Sequence, residues 1–388
     1  MNDSYDYIIA GAGAAGLSLA YHLVQAGLMD KRVLLIDRER KSRNDRTWCF
    51  WEIGEGPFEK LVFRRWPKVW FHGAGIAACL DLSPYRYKMI RGIDFYAFMD
   101  RWLETQPQIT RLYGEVDSVE EGRVWVEGQQ YEAKWIFDSI HRPIPRLPGY
   151  HYLLQHFKGW VVCSASAAFD PTAATLMDFR LEQRGAVRFA YVLPYDERTA
   201  LVESTLFSPS LLQPEEYDLG LKDYLEHLLH IREYTVQHEE FGIIPMTDVP
   251  VASPRDSRIV RIGIAGGRAK ASTGYTFQRI QRHSRQIAEN LIRYGQPLAS
   301  RPGFDRHYWM DSLFLNALSK GRVEGKSFFS RLFQKCPAAQ VLRFLDEETS
   351  LMEDLKLMSA VDIPAFLASS WDVLTSRLKA RLHPDEDL

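Results

Sequence analysis

A glycine-bearing turn between an apolar strand and a helix limits what this chain can fold into. Residues 7–10 read as a short buried strand. Gly11, Gly13 and Gly16 follow at G-x-G-x-x-G spacing, with Ala14 and Ala15 inside the turn. Leu17, Ala20, Tyr21, Leu23 and Val24 then recur at helical spacing up to Gly27, where a helix stops. A second apolar run, residues 32–36, ends at Asp37, 21 residues beyond Gly16. Strand, glycine turn, helix, strand and acid in this order are the fingerprint of a dinucleotide site. Gly11 permits the tight turn, Gly13 lets a pyrophosphate approach the backbone, and Gly16 lets helix and strand pack closely. The helix N-terminus offers free N–H groups and partial positive charge to phosphate. Asp37 can accept hydrogen bonds from ribose hydroxyls.

The next segment, residues 38–46, is a polar loop ending in Arg46, followed by the aromatic run 47–51. It reads either as a contact to phosphate or a flavin ring, or as a solvated connection into core aromatics. Residues 91–103 carry Phe95, Phe98, Met99, Trp102 and Leu103 at helical spacing. Three short strands follow, at 116–119, 123–126 and 131–137, and the last ends in Asp138. A meander returning to the first sheet and ending in Asp favours FAD over NAD, because NAD dehydrogenases continue with further βαβ units. Alternating runs at 159–169, 175–182, 187–193 and 200–207 predict an antiparallel sheet in a second domain, with a helix at 219–230 and a closing strand near 241–246. A strand at 259–265 then meets Gly266 and Gly267. Ser272, Thr273, Gly274 and Tyr275 precede a helix through Ile280, Ile287, Leu291 and Ile292. This second strand–glycine–helix junction either returns to the flavin or is a simple helix cap at Ser272 or Thr273.

With 388 residues, the length suits two domains. The expected division is a discontinuous FAD-binding domain (1–75, 110–147 and 255–300), a substrate domain (76–109 and 148–254) and a helical region (301–388). The fold class expected is α/β, a Rossmann-type domain with an interleaved antiparallel-sheet domain. The formal net charge of −2 argues against broad nucleic-acid binding. The four cysteines are scattered without a C-x-x-C pair, so neither a disulfide frame nor a metal site is expected. No apolar run reaches the ~18 residues of a membrane span. A cytoplasmic protein is expected, with aromatic and basic residues between Phe314 and Lys335 suited either to a membrane interface or to capping a core.

These pieces together resemble the bacterial lycopene β-cyclases, a flavoprotein family of carotenoid biosynthesis. The resemblance rests on the dinucleotide fingerprint; residues 45–48; residues 177–180; residues 191–194 running into 201–205; and residues 265–267 with 272–275. The segment Leu201-Val202-Glu203-Ser204-Thr205 is similar to the family's F-L-E-E-T, with Ser204 where the second glutamate would stand. The resemblance implies redox-neutral cyclisation of the ψ ends of lycopene to β-ionone rings, through a monocyclic carotene intermediate. It implies reduced FAD, with NAD(P)H as electron donor. For cofactor contacts it implies Gly11, Gly13, Ala14, Ala15, Gly16, Asp37, Arg46, Asp138, Gly266, Gly267, Ser272, Thr273, Gly274 and Tyr275.

Such a reaction needs an acid to protonate C2 and a base to remove a proton from C6. A carboxyl buried among apolar side chains stays protonated and can serve as the acid. Glu203, in the apolar run 200–207, is the candidate, with a solvated strand-edge glutamate as the bland reading. Asp178 and Arg180 either support Glu203 or the flavin, or form an ordinary salt bridge. A hydrocarbon substrate dissolved in the bilayer implies peripheral attachment to the inner face of the membrane. Two rivals share the fingerprint: an FAD/NADPH oxidoreductase acting on an isoprenoid, and a flavin-loaded carotenoid carrier.

Overall fold

The computed structural model describes residues 4–251, 257–297 and 305–382. The expected domain limits at 255, 300 and 301, and both chain ends, lie outside these residues. The fingerprint folds into β1 (Ser4–Ala10), α1 (Ala14–Gln25) and β2 (Val33–Asp37). β1 lies inside a seven-stranded sheet of order β8-β2-β1-β11-β10-β9, with β17 (Ile259–Arg261) beside β11. Here β8 is Ile109–Tyr113, β9 Val116–Glu120, β10 Arg123–Val126 and β11 Gln129–Asp138. β1 runs parallel to β2 and β11, and β10 antiparallel to β11. A parallel strand covered on both faces must be apolar throughout, and Ile8, Ile9 and Ala10 are fully buried.

A Cβ on Gly16 would sit 1.9 Å from the carbonyl oxygen of Gly11, so only glycine lets α1 come this close to the turn. α4 (Phe277–Tyr294) packs against α1. There Gln281 donates to Ser18 Oγ at 2.9 Å and lies 3.1 Å from His22 Nε2. α4 is capped at Thr276, later than the expected Ser272 or Thr273. The strand expected at 259–265 stops at Arg261, because the chain turns at Gly263, whose φ of 63° belongs to the left-handed region.

A second seven-stranded sheet has the order β16-β12-β15-β14-β13-β5-β6. These strands are β5 (Lys68–Gly73), β6 (Ile76–Asp81), β12 (Tyr152–Ser164), β13 (Ala173–Asp178), β14 (Val187–Pro194), β15 (Thr199–Ser208) and β16 (Tyr234–Thr247). A small sheet of β3 (Thr47–Glu52), β4 (Arg64–Trp66) and β7 (Arg86–Arg91) joins the two domains. The expected division therefore shifts at two places. β5 pairs with β13 and so belongs to the second sheet, although 1–75 was expected in the first domain. α2 (Gly92–Leu103) buries Phe95, Tyr96, Met99 and Leu103 in the same core as Leu35 and Phe137, although 76–109 was expected in the second. Long-range strand pairing decides the first and helix packing the second, and no composition change marks either crossing.

The second sheet has two apolar faces. Trp160, Val162, Val192 and Val202 pack on α3 (Pro214–Asp223) and the π-helical turn Tyr224–Leu228. α3 starts earlier than expected, because Pro214 opens the helix and Gln213 and Glu216 form a capping box. On the other face, Val161, Tyr191, Leu201 and Phe207 share a core with the C-terminal helices. Those are α5 (Arg306–Ser319), α6 (Gly325–Lys335), α7 (Ala338–Leu345), α8 (Leu351–Met358) and α9 (Ile363–Leu382).

Lys270, only 2% exposed, ties these helices to the loop before α4. Its Nζ donates to Asp311 at 3.0 Å and to Glu347 at 3.1 Å. Burial raises the Glu347 carboxyl, but Lys270 and Arg279 outweigh it and hold the group at about 2. Two outcomes follow from this packing. Gly16→Ala should lower the melting temperature sharply and prevent cofactor loading, whereas Gly27→Ala should load normally. Lys270→Met should cost about 3 kcal/mol, because it strands buried carboxylates. The depressed Glu347 stabilises the fold above its unfolded-state range near ~4.3. That contribution is lost as pH falls towards about 2. Denaturant melts at pH 7 and pH 3 should show the gap between parent and Lys270→Met shrinking in acid.

Candidate active site

The glycine fingerprint forms a turn at the N-terminus of α1. Gly13 is the N-cap of α1, whose first turn carries no acidic residue. A Cβ at Gly13 would meet nothing within 4 Å, so the space over this backbone is open to a phosphate. Asp37 ends β2 and is 8% exposed. Its carboxylate accepts from Ala12 N at 2.7 Å and from Lys41 Nζ at 2.9 Å. It forms one wall of a cleft of about 430 Å3 that Ala12, Tyr96, Arg111 and Leu112 also line. Gly263 presses on α1, and a Cβ there would lie 2.7 Å from the Ala15 side chain. This brings the Gly266–Gly267 turn towards Ala14 and Ala15. Asp138 is buried at the end of β11, where it accepts from Ile140 N at 3.0 Å and pairs with Arg142. It orders the loop beside the cradle. Arg46 is exposed and paired with Asp45 at 3.1 Å. The open backbone at Gly13, the close packing at Gly16 and the acid at the end of β2 fit a bound dinucleotide.

Residues 270–275 carry the chain from the cradle to the second sheet. A Cβ on Gly274 would lie 2.3 Å from Gln155 Oε1 of β12, and the φ of 72° also requires glycine there. Ser272 and Thr273 are buried beside it. Tyr275 crosses the edge of Trp51 with ring centroids 4.6 Å apart, and its hydroxyl lies 3.1 Å from that of Tyr87. Tyr191 also hydrogen-bonds Tyr275, and Cys49 hydrogen-bonds Tyr87. Burial pushes all four of these groups up, so each stays neutral.

Beside this cluster, four residues stand in a row across the second sheet. Tyr191 of β14 pairs with Glu203 of β15, Glu203 with Gly159 of β12, and Gly159 with Glu240 of β16. Directly paired residues in antiparallel strands project from the same face. Gly159 adds no side chain, and the two carboxyls meet over it. A Cβ there would sit 2.9 Å from Glu203 Cγ and 3.1 Å from Glu240 Cγ. Burial raises the Glu203 carboxyl well above the usual carboxylate range, and the charge of Glu240 and a hydrogen bond to it raise it further. Glu240 is 5% exposed, and its Oε2 accepts from Thr47 Oγ1 at 2.8 Å.

Tyr191, the cross-strand neighbour of Glu203, lines an apolar chamber of about 1030 Å3, counting its open mouth; Glu203 itself is not among the lining residues. Tyr191, Tyr275, Trp51 and Phe207 line its inner end, and Phe314, Phe329 and Leu342 of the C-terminal helices line the rest.

Asp178 and Arg180 are not brought to Glu203. Asp178 pairs with Ala190, whose side chain belongs to the opposite, α3-facing core. Its carboxylate accepts from Arg180 Nε at 2.9 Å and from Tyr224 Oη at 2.8 Å. Burial would raise it, but these hydrogen bonds prevail and lower it, so it is ionised. The pair is a structural ion pair, because alternate residues of a strand point to opposite sides. The same rule separates Ser204 from Glu203. Sequence reasoning missed Glu240, Gly159, Thr47, Tyr87 and Cys49. A glycine inside an apolar strand signals a close approach, and that signal was available at Gly159. No motif marks Glu240.

Comparison with known proteins agrees with this architecture. Over 213 residues the chain is 25% identical to "Lycopene beta-cyclase" of Pseudescherichia vulneris, covering 52% of this chain and 54% of that protein. The aligned part thus spans about half the length of that relative. It is also 25% identical over 317 residues to "Lycopene beta cyclase" of Synechococcus elongatus, covering 75% and 72% of the two chains. Among solved structures, a flavoprotein/dehydrogenase from Cytophaga hutchinsonii superposes with a TM-score of 0.62 at 13% identity, covering 96% of this chain and all of that one. This shows a shared fold. The family profile described as "Lycopene cyclase protein" matches residues 6–370, nearly the whole chain, and the protein belongs to that family.

Proposed function

We propose that this protein cyclises the acyclic ψ ends of lycopene to β-ionone rings without net oxidation or reduction. The observation that carries this reading is a half-buried carboxyl, Glu203, held well above the usual carboxylate range and paired across the sheet with Tyr191, which lines the aromatic chamber. The Glu203 carboxyl gives its proton to C2 of the terminal double bond, leaving a cation at C1. The C5–C6 double bond attacks C1, closing the ring and moving the cation to C5. Loss of the C6 proton restores a double bond, so atoms and electrons balance and the product is an isomer. Trp51, Tyr191 and Tyr275 offer electron-rich faces to the cation, worth roughly 1–2 kcal/mol each where water is excluded. The neutral hydroxyls of Tyr191 and Tyr275 add no competing nucleophilic anion.

The cradle at Gly11, Gly13 and Gly16, with Asp37 at the ribose end, is read as the FAD site. Reduced FAD, when bound, would supply negative charge near the cation, with NAD(P)H as its electron source. The chain's residues exclude water, hold the proton and orient the chain of double bonds.

The chamber also suggests how a hydrocarbon enters. Leu357, Met358, Val361 and Phe366, from α8, α9 and the turn between them, line it. The outer side of the same helices exposes Leu355, Leu367, Trp371, Leu374 and Leu378. No single helix among the described residues is long and apolar enough to cross a membrane; α8 and α9 pass together but are bent by 115°. The reading is peripheral contact with a bilayer through this face, on the cytoplasmic side, with the carotene passing between α8 and α9.

Three outcomes are expected. In a lycopene-accumulating bacterial host, the protein should convert lycopene to γ- or β-carotene of unchanged mass. A product heavier by two hydrogens or one oxygen, with reductant consumed in proportion, would make it an oxidoreductase instead. Glu203→Gln should lose at least ~100-fold in turnover while retaining FAD, the range of a lost general acid; near-parent activity would remove Glu203 from the mechanism. Leu367→Glu with Trp371→Glu should weaken binding to phospholipid vesicles at least ~10-fold, while detergent-solubilised lycopene is still cyclised.

A further inference from the structure

We propose that Glu240 is the positioning partner of Glu203: the two carboxyls share one proton over Gly159, and Glu240 keeps Glu203 loaded as the acid. This rests on the reading of Glu203 as the proton donor. Three observations support it independently of that reading.

The first is register. β12 lies between β15 and β16, and its residue opposite both glutamates is a glycine. Any larger residue at 159 would stand between the carboxyls. The second is hydrogen bonding. Glu240 Oε2 accepts from the Thr47 hydroxyl at 2.8 Å, whereas the buried Oε1 has no donor among the described residues when both glutamates are ionised. A buried oxygen without a donor is costly. A proton on Glu203, which lies within hydrogen-bonding reach of Glu240, satisfies it. The third is the split of roles. Thr47 stabilises negative charge on Glu240, and no comparable donor serves Glu203 among its described contacts, so the shared proton resides on Glu203.

Other titratable groups face the pair from every packed element. From β3 come Cys49 and, just before the strand, Arg46, which acts on Glu240. Tyr87 comes from β7, where Arg91 acts on Tyr195. β14 and the turn after it bring Tyr191 and Tyr195, and the loop before α4 brings Tyr275. On β16 itself, His238 lies 2.7 Å from the carbonyl of Asn44, which occupies its Nε2. Burial pushes Cys49 and the tyrosines up, so they stay neutral, and Glu203 is the carboxyl here whose protonated form the surroundings favour.

The sharing also closes the proton cycle. The pair begins with one proton and one negative charge. Donation to C2 leaves two adjacent carboxylates, which repel each other. The pair is then a strong base, and the C6 proton returns it to its starting state. Protons given and taken are equal, so no co-reactant is required.

The test is the pH profile of lycopene turnover by FAD-loaded enzyme in detergent micelles with dithionite-reduced flavin. Glu203 acts as an acid, so activity is full below the apparent pKa of the pair and lost as pH rises through it; this value belongs to the pair. Glu240→Gln keeps the shape and an amide towards Thr47 but removes the like charge. Its alkaline limb should move down by about one pH unit, with KM unchanged and FAD content normal. Thr47→Val removes the donor that steadies the doubly ionised pair and should move the limb up. Glu240→Gln with the parent's limb, or with a uniform loss at every pH, overturns the proposal. If Glu240→Gln does not fold, Thr47→Val decides alone: an upward shift supports the sharing and an unmoved limb overturns it. Glu203→Gln measured alongside separates the two readings. Full activity in that variant defeats the assignment of Glu203 itself, whereas its inactivity with an unmoved Glu240→Gln limb defeats only the partnership.

Discussion

Exclusion of water from one face of the second sheet is the constraint on which the rest depends. That face is apolar along β12, β14 and β15, and it would be exposed if the C-terminal helices did not cover it. The cover is tied down by a buried lysine with carboxylate partners from α5 and the turn after α7, an arrangement stable only when every charge is paired. What remains between sheet and helices is an aromatic chamber. Burial beside it pushes the Cys49 thiol and the Tyr87, Tyr191 and Tyr275 hydroxyls up and raises the Glu203 carboxyl.

The two domains contribute different things to this site. The first supplies a rigid glycine turn and a helix N-terminus, suited to a phosphate-bearing cofactor and indifferent to the substrate. The second supplies the raised Glu203 carboxyl and the apolar walls. The loop 270–275 connects them, with Gly274 pressed against Gln155 and Tyr275 reaching into the tyrosine cluster. The same scaffold hosts many chemistries, so the reaction must be argued from the site residues and not from the fold.

A strand alternates its faces, and that rule reorganises the candidate residues. Glu203 and Ser204 could never act together in one pocket, whichever residue occupied position 204. Asp178 faces α3 for the same reason, although it lies in a stretch that carries the family resemblance. A second carboxyl reaches Glu203 from β16, 37 positions along the chain, because a glycine on the strand between them leaves room.

The sequence by itself determined the strand–glycine–helix unit, the antiparallel run of strands in a second sheet (which β5 joins in parallel), the helical C-terminal region and Glu203 as the candidate acid. Each is written in local terms: glycine spacing, periodicity, or a charged residue inside an apolar run. Only the tertiary structure decided that β5 joins the second sheet and α2 the first domain, since strand pairing over long separations has no local signature. Only it brought Thr47, Gly159 and Glu240 to Glu203, and turned Asp178 and Arg180 away. Those residues come from three strands and two sheets, and their meeting depends on register, which one residue of slip would reverse.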